Sequence, residues 1–343
     1  MTVTTCELAG WLPIELMLRR RSSAITWMEC GGVPLREPFF DYTVSALRAA
    51  GGRREVRTSL ETLCEAADTM EAVPVAGFIF HISHCGSTLV SNAARAAAGA
   101  VVISEAGPLS RMFAPYRTGL WPYAEHEWEA ARARLLRAMM KVYAQRRGAG
   151  ERRLIVKFIS WNILSLAVVR RLWPDVPTLI VVRDPIEVAV ATLAEPTMWM
   201  RLRECPIEAS MLFGWTMAEV QAMSREEYVA RAIAELCHAA LPALGPSCHV
   251  IDYRKIDVDV LCRICEWFNG TLSPDDVARV EQASRVHAKD PRLSRPHVDD
   301  RDAKQRAATP ELRTAVERWA RAPYERLTRQ PIHHGREPGH ATS

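Results

Sequence analysis

The chain has 343 residues, 48% of them hydrophobic and 24% charged, which are ordinary values for a folded globular protein. That length suits one large α/β domain or two small ones, and the composition excludes widespread disorder and collagen-like structure. A formal charge of +4, with no dense Lys/Arg tract, gives no reason to expect a nucleic-acid partner.

No apolar run approaches the roughly 18 residues of a membrane-spanning helix. Met1 to Pro13 lacks a basic start followed by an apolar stretch, so no secretory signal is expected. The nine cysteines are odd in number and scattered, which predicts free thiols in a reducing cytoplasm. Cys262 and Cys265 form a CxxC pair in a helical apolar stretch, without the second ligand pair that zinc needs. They read as buried thiols, and no metal is expected.

In chain order, residues 1–72 read as a partly helical preface. Trp11 to Leu18 is short and apolar, Pro38 to Ala50 has the pattern of an amphipathic helix, and Asp68 to Pro74 reads as a connector. Val75 to Ile82 is an apolar run rich in β-formers, which predicts a buried strand. A helix is expected at Ser87 to Ala98, a strand at Ala100 to Ser104, and a long helix at Glu127 to Arg147. A third strand follows at Leu154 to Phe158, then a helix at Asn162 to Trp173. A fourth strand is expected at Thr178 to Val182, then a helix from Pro185. Strands alternating with helices predict a mostly parallel sheet flanked by helices, joined by right-handed crossovers. Residues 206–240 read as all helical, and His249 to Tyr253 as a further strand. Helices are expected at 257–269, 274–287 and 310–328. The tail 329–343 reads as mobile, with His333, His334 and His340 solvated.

The segment FIFHISHCGSTLVSN joins a strand to a helix through Gly86. A glycine turn lets N–H groups point inward, and the helix N-terminus adds more donors and a positive dipole end. Ser87 and Thr88 add hydroxyls. The pattern fits a phosphate-like anion, and it equally fits a capped turn with no ligand. It is not an ATPase loop: His81 stands at the first glycine of G-x-x-x-x-G-K-[ST], and Ser87 at the lysine. That argues against a nucleotide-dependent kinase.

FIFHISHCGSTLVSN resembles the 5′-phosphosulfate loop of sulfotransferases that use 3′-phosphoadenosine 5′-phosphosulfate. TLIVVRDPIEVAVATL (178–193) is similar to their 3′-phosphate segment, and LIVKFISWNILSLAVVRRLWP (154–174) looks like their bacterial branch. The likeness is fainter through KDPRLSRPHVDD (289–300). It implies a P-loop NTP hydrolase-like fold over 73–328, with 196–245 as a helical acceptor region. The donor would be 3′-phosphoadenosine 5′-phosphosulfate and the acceptor a small molecule, with no metal. Ser83, Cys85, Gly86, Ser87 and Thr88 would hold the 5′-phosphosulfate, and Arg183 the 3′-phosphate. The same RDP sequence is explained locally by a well-capped helix. Lys289 would fold over the 3′-phosphate.

Two departures stand out. The family's serine eight residues after the arginine is Ala191 here. Thr192 is the neighbouring hydroxyl, about 100° around the helix. His84 stands where the family carries Lys or Arg, and it supplies a cation only when protonated. Together they keep open a non-catalytic nucleotide-binding module. Glu105, after the second strand, is the candidate base, with His84 as an acid toward the leaving group and His81 as a competitor or a core histidine. Lys157 would balance the sulfonate or snorkel from a strand end. Trp161 reads as stacking or packing, and Trp121, Trp199, Phe213 and Trp215 as pocket lining or core.

Overall fold

The computed structural model describes residues 8–115, 122–286, 288–290 and 299–329. Trp121, the tail histidines and most of KDPRLSRPHVDD lie outside the described residues.

The N-terminal segment holds a three-stranded antiparallel sheet of β1 (Trp11–Met17), β2 (Ala24–Glu29) and β3 (Glu55–Thr58), in the order β1-β2-β3. These strands were not anticipated. β1 carries Pro13, and the β1–β2 register shifts between Pro13 and Glu15, which breaks the alternation that marks a strand in a sequence. Two helices accompany the sheet, α1 (Phe40–Ala50) and α2 (Leu60–Thr69), the second capped by Ser59. This layer shares one continuous core with the rest of the chain.

The central sheet comprises β4 (Val75–His81), β5 (Ala100–Ser104), β6 (Arg153–Lys157), β7 (Thr178–Val182) and β8 (Cys248–Asp252). Its order is β5-β6-β4-β7-β8 and every pair is parallel. The fold is therefore α/β, as expected, with a wholly parallel central sheet. Helices α3 (Ser87–Ala96), α4 (Gly107–Arg111), α5 (Glu125–Tyr143), α6 (Leu166–Leu172) and α7 (Pro185–Ala194) lie between its strands in sequence. Strands of a sheet covered on both faces read as continuous apolar runs, and all five residues of β7 are buried. Phe80 stacks on Phe158 with ring centroids 4.4 Å apart, and Phe78 and Phe113 pack edge-on or tilted around the same ring. Each such ring contributes about 1.5–3 kcal/mol of burial.

Several boundaries moved for identifiable reasons. α5 stops at Tyr143 because Gln145 is taken by the N-terminal sheet. Its amide donates to Trp11 O at 2.7 Å, and its oxygen accepts from Gly10 N at 2.6 Å. The helix expected at Asn162 to Trp173 starts as a 3-10 turn over Ser160–Ser165. The helix expected at 310–328 divides at Ala320 into Pro310–Trp319 and Arg321–Thr328. Pro323 has no N–H to continue the ladder, and its ring opposes the carbonyl one turn back.

The strand order decides where a ligand sits. From β4 the chain crosses toward β5, whereas from β7 it runs toward β8. The loops after β4 and β7 therefore part, and open α/β sheets take ligands in that crevice at the carboxyl edge.

Candidate active site

The loop after β4 runs Ile82 to Gly86 and is fixed by its own side chains. Cys85 Sγ donates to Val181 O of β7 at 3.1 Å, and burial pushes the thiol up to about 11, so Cys85 is a structural tether. Trp199 Nε1 donates to Ser83 Oγ at 3.1 Å from beneath the loop. Ser83 N donates to His81 Nδ1 at 3.2 Å, which leaves the ring proton on Nε2.

Gly86 is the N-cap of α3 with φ +83°, and α3 has no side-chain cap. A Cβ there would lie 2.4 Å from Tyr253 Cδ2, so glycine is required both by backbone and by space. The first N–H groups of α3 lack intrahelical acceptors and sit at the positive end of its dipole.

Among the described residues, the non-glycine positions with left-handed backbone are Ser83, His84 and Glu105. All three line one pocket of about 860 Å³ at the carboxyl edge of the sheet. Strained backbone gathered at one cleft is a mark of a functional site. Glu105 is positioned by the β5–β6 ladder, its N–H donating to Lys157 O at 2.8 Å.

A polar cluster joins three strands at this point. Lys157 Nζ donates to Glu105 Oε1 and, at 3.1 Å, to Thr88 Oγ1. His81 Nε2 lies 3.5 Å from Glu105 Oε1 without a well-aligned hydrogen bond. Burial favours the neutral acid at Glu105, but the Lys157 charge and the His81 N–H outweigh it and hold the carboxyl below its ordinary range. Burial pulls Lys157 below its usual value while Glu105 opposes that shift. The pair is an ionised carboxylate beside an ammonium, sealed from solvent on the lysine side.

His84 is pushed down to about 4, first by burial and then by the Lys289 charge. It is neutral near pH 7, so it brings no cation to the loop. Lys157, from β6, is a buried cation that donates directly to the Thr88 hydroxyl of α3.

Arg183 directly follows β7 and is 3% exposed. Its Nε donates to Glu187 Oε2 at 2.5 Å and its Nη2 to Asp300 Oδ1 at 2.6 Å. The guanidinium stacks over the Tyr253 ring at 4.4 Å. Asp184 caps α7 through Ile186 N at 2.9 Å and Pro185 starts the helix, as the local reading expected. Asp300 also pairs with Lys304 at 2.7 Å. Lys289 lines the pocket 3.9 Å from Glu195 Oε2, held nearby by Asn92 Nδ2 donating to Ala288 O at 2.8 Å.

The structure thus brings Ser83, His84, Cys85, Gly86, Ser87, Thr88, Glu105, Arg183 and Lys289 to one pocket, with Lys157 directly behind Thr88 and Glu105. It does not bring Thr192 there. Thr192 is fully buried with an unpartnered hydroxyl, and Ala191 occupies the pocket wall instead. The reason is the one-residue rotation about α7. Trp199 lies under the loop rather than in the cleft, and Phe213 and Trp215 pack on Tyr228. Tyr253, Asp300, Phe39 and Tyr42 line the pocket and were not named individually as site residues from the sequence. Tyr253 had a legible signal, since it directly follows a strand at the ligand edge.

Cys262 and Cys265 are free and sit on the helix Val258–Asn269. Among the described residues no group of three or more His, Cys, Asp or Glu side chains could hold a metal ion, and no helix is long and apolar enough to cross a membrane.

No protein-family model matches the chain, and no curated protein matches it. Solved structures do. The chain is similar to the sulfotransferase domain from the curacin biosynthetic pathway, at 14% identity over 72% of this chain and 98% of that one, with a TM-score of 0.39. It is similar to a sulfotransferase from Alicyclobacillus acidocaldarius, at 14% identity over 74% and 99%, with a TM-score of 0.38. It is also similar to retinol dehydratase in a complex with retinol and PAP, at 13% identity over 81% and 89%, with a TM-score of 0.35.

Proposed function

We propose that the protein is a sulfotransferase that moves a sulfuryl group from 3′-phosphoadenosine 5′-phosphosulfate to a hydroxyl or amine of a small-molecule acceptor. The observation that carries this reading is the meeting, in one pocket, of an uncapped helix N-terminus, Arg183 and Glu105. The two sequence segments that resemble the family's phosphate-binding segments supply the loop and the arginine.

The residues fit the donor at one end more readily than at the other. Gly86, Ser87 and Thr88 offer N–H and hydroxyl donors that no side chain caps. Arg183 is the natural 3′-phosphate contact, but its Nε and Nη2 already face Glu187 and Asp300, so a phosphate there competes with Asp300 for the guanidinium. Glu187 stays, since it is buried in the first turn of α7, four residues after the arginine.

The donor supplies an activated sulfuryl group: its S–O bond to phosphate breaks with the electron pair leaving on phosphate, and a new bond forms from sulfur to the acceptor atom. Glu105 takes the acceptor's proton. A carboxylate held low by Lys157 is a weak base, and an anion on the α3 N-terminus changes that. It gives Lys157 a second negative partner past Thr88, weakens the pull on Glu105, and raises its basicity. Lys157 in turn stabilises negative charge on the phosphate side through the Thr88 hydroxyl.

The neutral His84 and the occupied Arg183 favour a second reading, a nucleotide-binding module without turnover. Titration calorimetry with adenosine 3′,5′-bisphosphate, run against 5′-ADP and against ATP with and without magnesium, tests the site. Metal-independent binding that requires the 3′-phosphate is expected. Magnesium-dependent ATP binding overturns the reading in favour of a kinase. Failure to turn over the sulfuryl donor, with bisphosphate binding intact, selects the module.

A further inference from the structure

The pocket has two unlike ends. Around the α3 N-terminus and Arg183 it is polar and charged. Past Glu105 its wall is Phe39, Tyr42, Ile159, Trp161 and Met198, with Ser160 as a small polar member. Trp161 and Met198 also line a second cavity of about 120 Å³, so the two spaces share a wall. The remaining apolar lining of that cavity includes Ala114, Leu202, Met211 and Leu212. Its charged lining residues, Arg111 and Glu208, are of opposite sign and bring no net charge.

Apolar side chains are left uncovered along this path. Tyr42 is 43% exposed, Met198 38% and Met211 36%, three of the six exposed large hydrophobics among the described residues. Exposed apolar surface continuous with a cleft marks a ligand-binding groove. A cavity of about 150 Å³ lined by aliphatic side chains holds a benzene ring, so the smaller space here matches a short alkyl chain or part of a ring.

We propose that the acceptor is an amphipathic alcohol or amine whose apolar tail passes Trp161 and Met198 into the cavity against Leu202, Met211 and Leu212. Its reacting group then lies at Glu105. This rests on the sulfuryl-transfer reading for the role of Glu105, and on the two cavities alone for the tail site. Sugars are the poorer acceptors in this reading, because hydroxyls set against Trp161, Met198 and Leu212 lose water without a partner from those side chains.

The test is binding of a 4-alkylphenol series, from phenol to hexylphenol, to the full chain by calorimetry, with N-acetylglucosamine as the polar comparison. Each methylene placed in the cavity is expected to tighten binding about four-fold, with the gain ending once the space is full. Leu212→Phe and Ala114→Leu, which fill the cavity from two sides, are expected to flatten the series while phenol binds as before. Circular dichroism identifies a variant that fails to fold, and the other then decides. A flat series in the unaltered chain, or tighter binding of the sugar, overturns the proposal. Adenosine 3′,5′-bisphosphate is titrated in parallel. A rising series without bisphosphate binding supports the tail site while ending the sulfuryl-donor reading. A flat series with bisphosphate binding ends the tail site alone.

Discussion

Replacing Asp300 by Asn removes a carboxylate that competes with an incoming phosphate for Arg183. The carboxylate accepts from Arg183 Nη2 at 2.6 Å and pairs with Lys304 at 2.7 Å. It is ionised: burial raises its pKa, but hydrogen bonds from Lys304 and Arg183 outweigh that and hold it below the ordinary aspartate range. A hydrogen bond between charged groups is worth about 1.5–3 kcal/mol when buried. The Asp300 side chain is 47% exposed, so solvent screening brings this toward about 1 kcal/mol. Asn keeps the shape, and the carboxylate makes no cap bond to the helix Arg301–Ala307 that would be lost. The variant should therefore bind adenosine 3′,5′-bisphosphate roughly five- to ten-fold more tightly, the equivalent of about 1 kcal/mol or slightly more. Binding of 5′-AMP should not change. Calorimetry at low and at 0.5 M salt measures both, and the gain should shrink at the higher salt. Unchanged or weaker bisphosphate binding refutes the competition argument. An equal gain for 5′-AMP places the effect away from Arg183.

Other outcomes follow from the same geometry. Glu105→Gln should remove turnover of the sulfuryl donor while leaving bisphosphate affinity intact, and surviving turnover in a single-turnover assay would assign the base elsewhere. Lys157→Met leaves Glu105 buried beside a neutral His81, so a loss of about 3 kcal/mol in urea unfolding is expected, and an unchanged midpoint contradicts the buried pair. Gly86→Ala must move the Tyr253 ring and strain a left-handed position, and should cost about 1–3 kcal/mol. Gly86→Ala combined with Tyr253→Ala should recover only the part due to the ring. His84 binds its proton at about 4 when folded and near 6.5 when unfolded. The unfolded chain takes up the extra proton between those values. Stability should therefore be full above about pH 6.5 and fall by up to about 3 kcal/mol on acidification toward pH 4. His84→Gln should lose that part of the slope, as measured by urea unfolding at several pH values.

Much of the central sheet was legible because its signals are local. β5 and β7 fall where their five-residue apolar runs stand, and the Gly86 turn announces itself between a strand and a Ser/Thr helix start. The N-terminal sheet was not legible. Its short strands gain their hydrogen bonds only from one another, and the bulge at Pro13 and Glu15 hides the alternation. Within the site, the residue types of the loop, Glu105 and Arg183 were readable as chemistry, but their company was not. Lys157 reaches Thr88 across 69 positions and Glu105 across 52, and Arg183 reaches Asp300 across 117. The order β5-β6-β4-β7-β8 creates these meetings, because it sets β6 between the strand that ends before Glu105 and the strand that leads to Thr88. The choice of Ala191 over Thr192 at the pocket wall turns on a single step of helix rotation. The neutral state of His84 turns on burial and a neighbouring lysine. Hydrophobic period and turn chemistry act over a few residues and are written along the chain. Burial, charge partners and side-chain direction come from elements that meet only when the sheet is assembled.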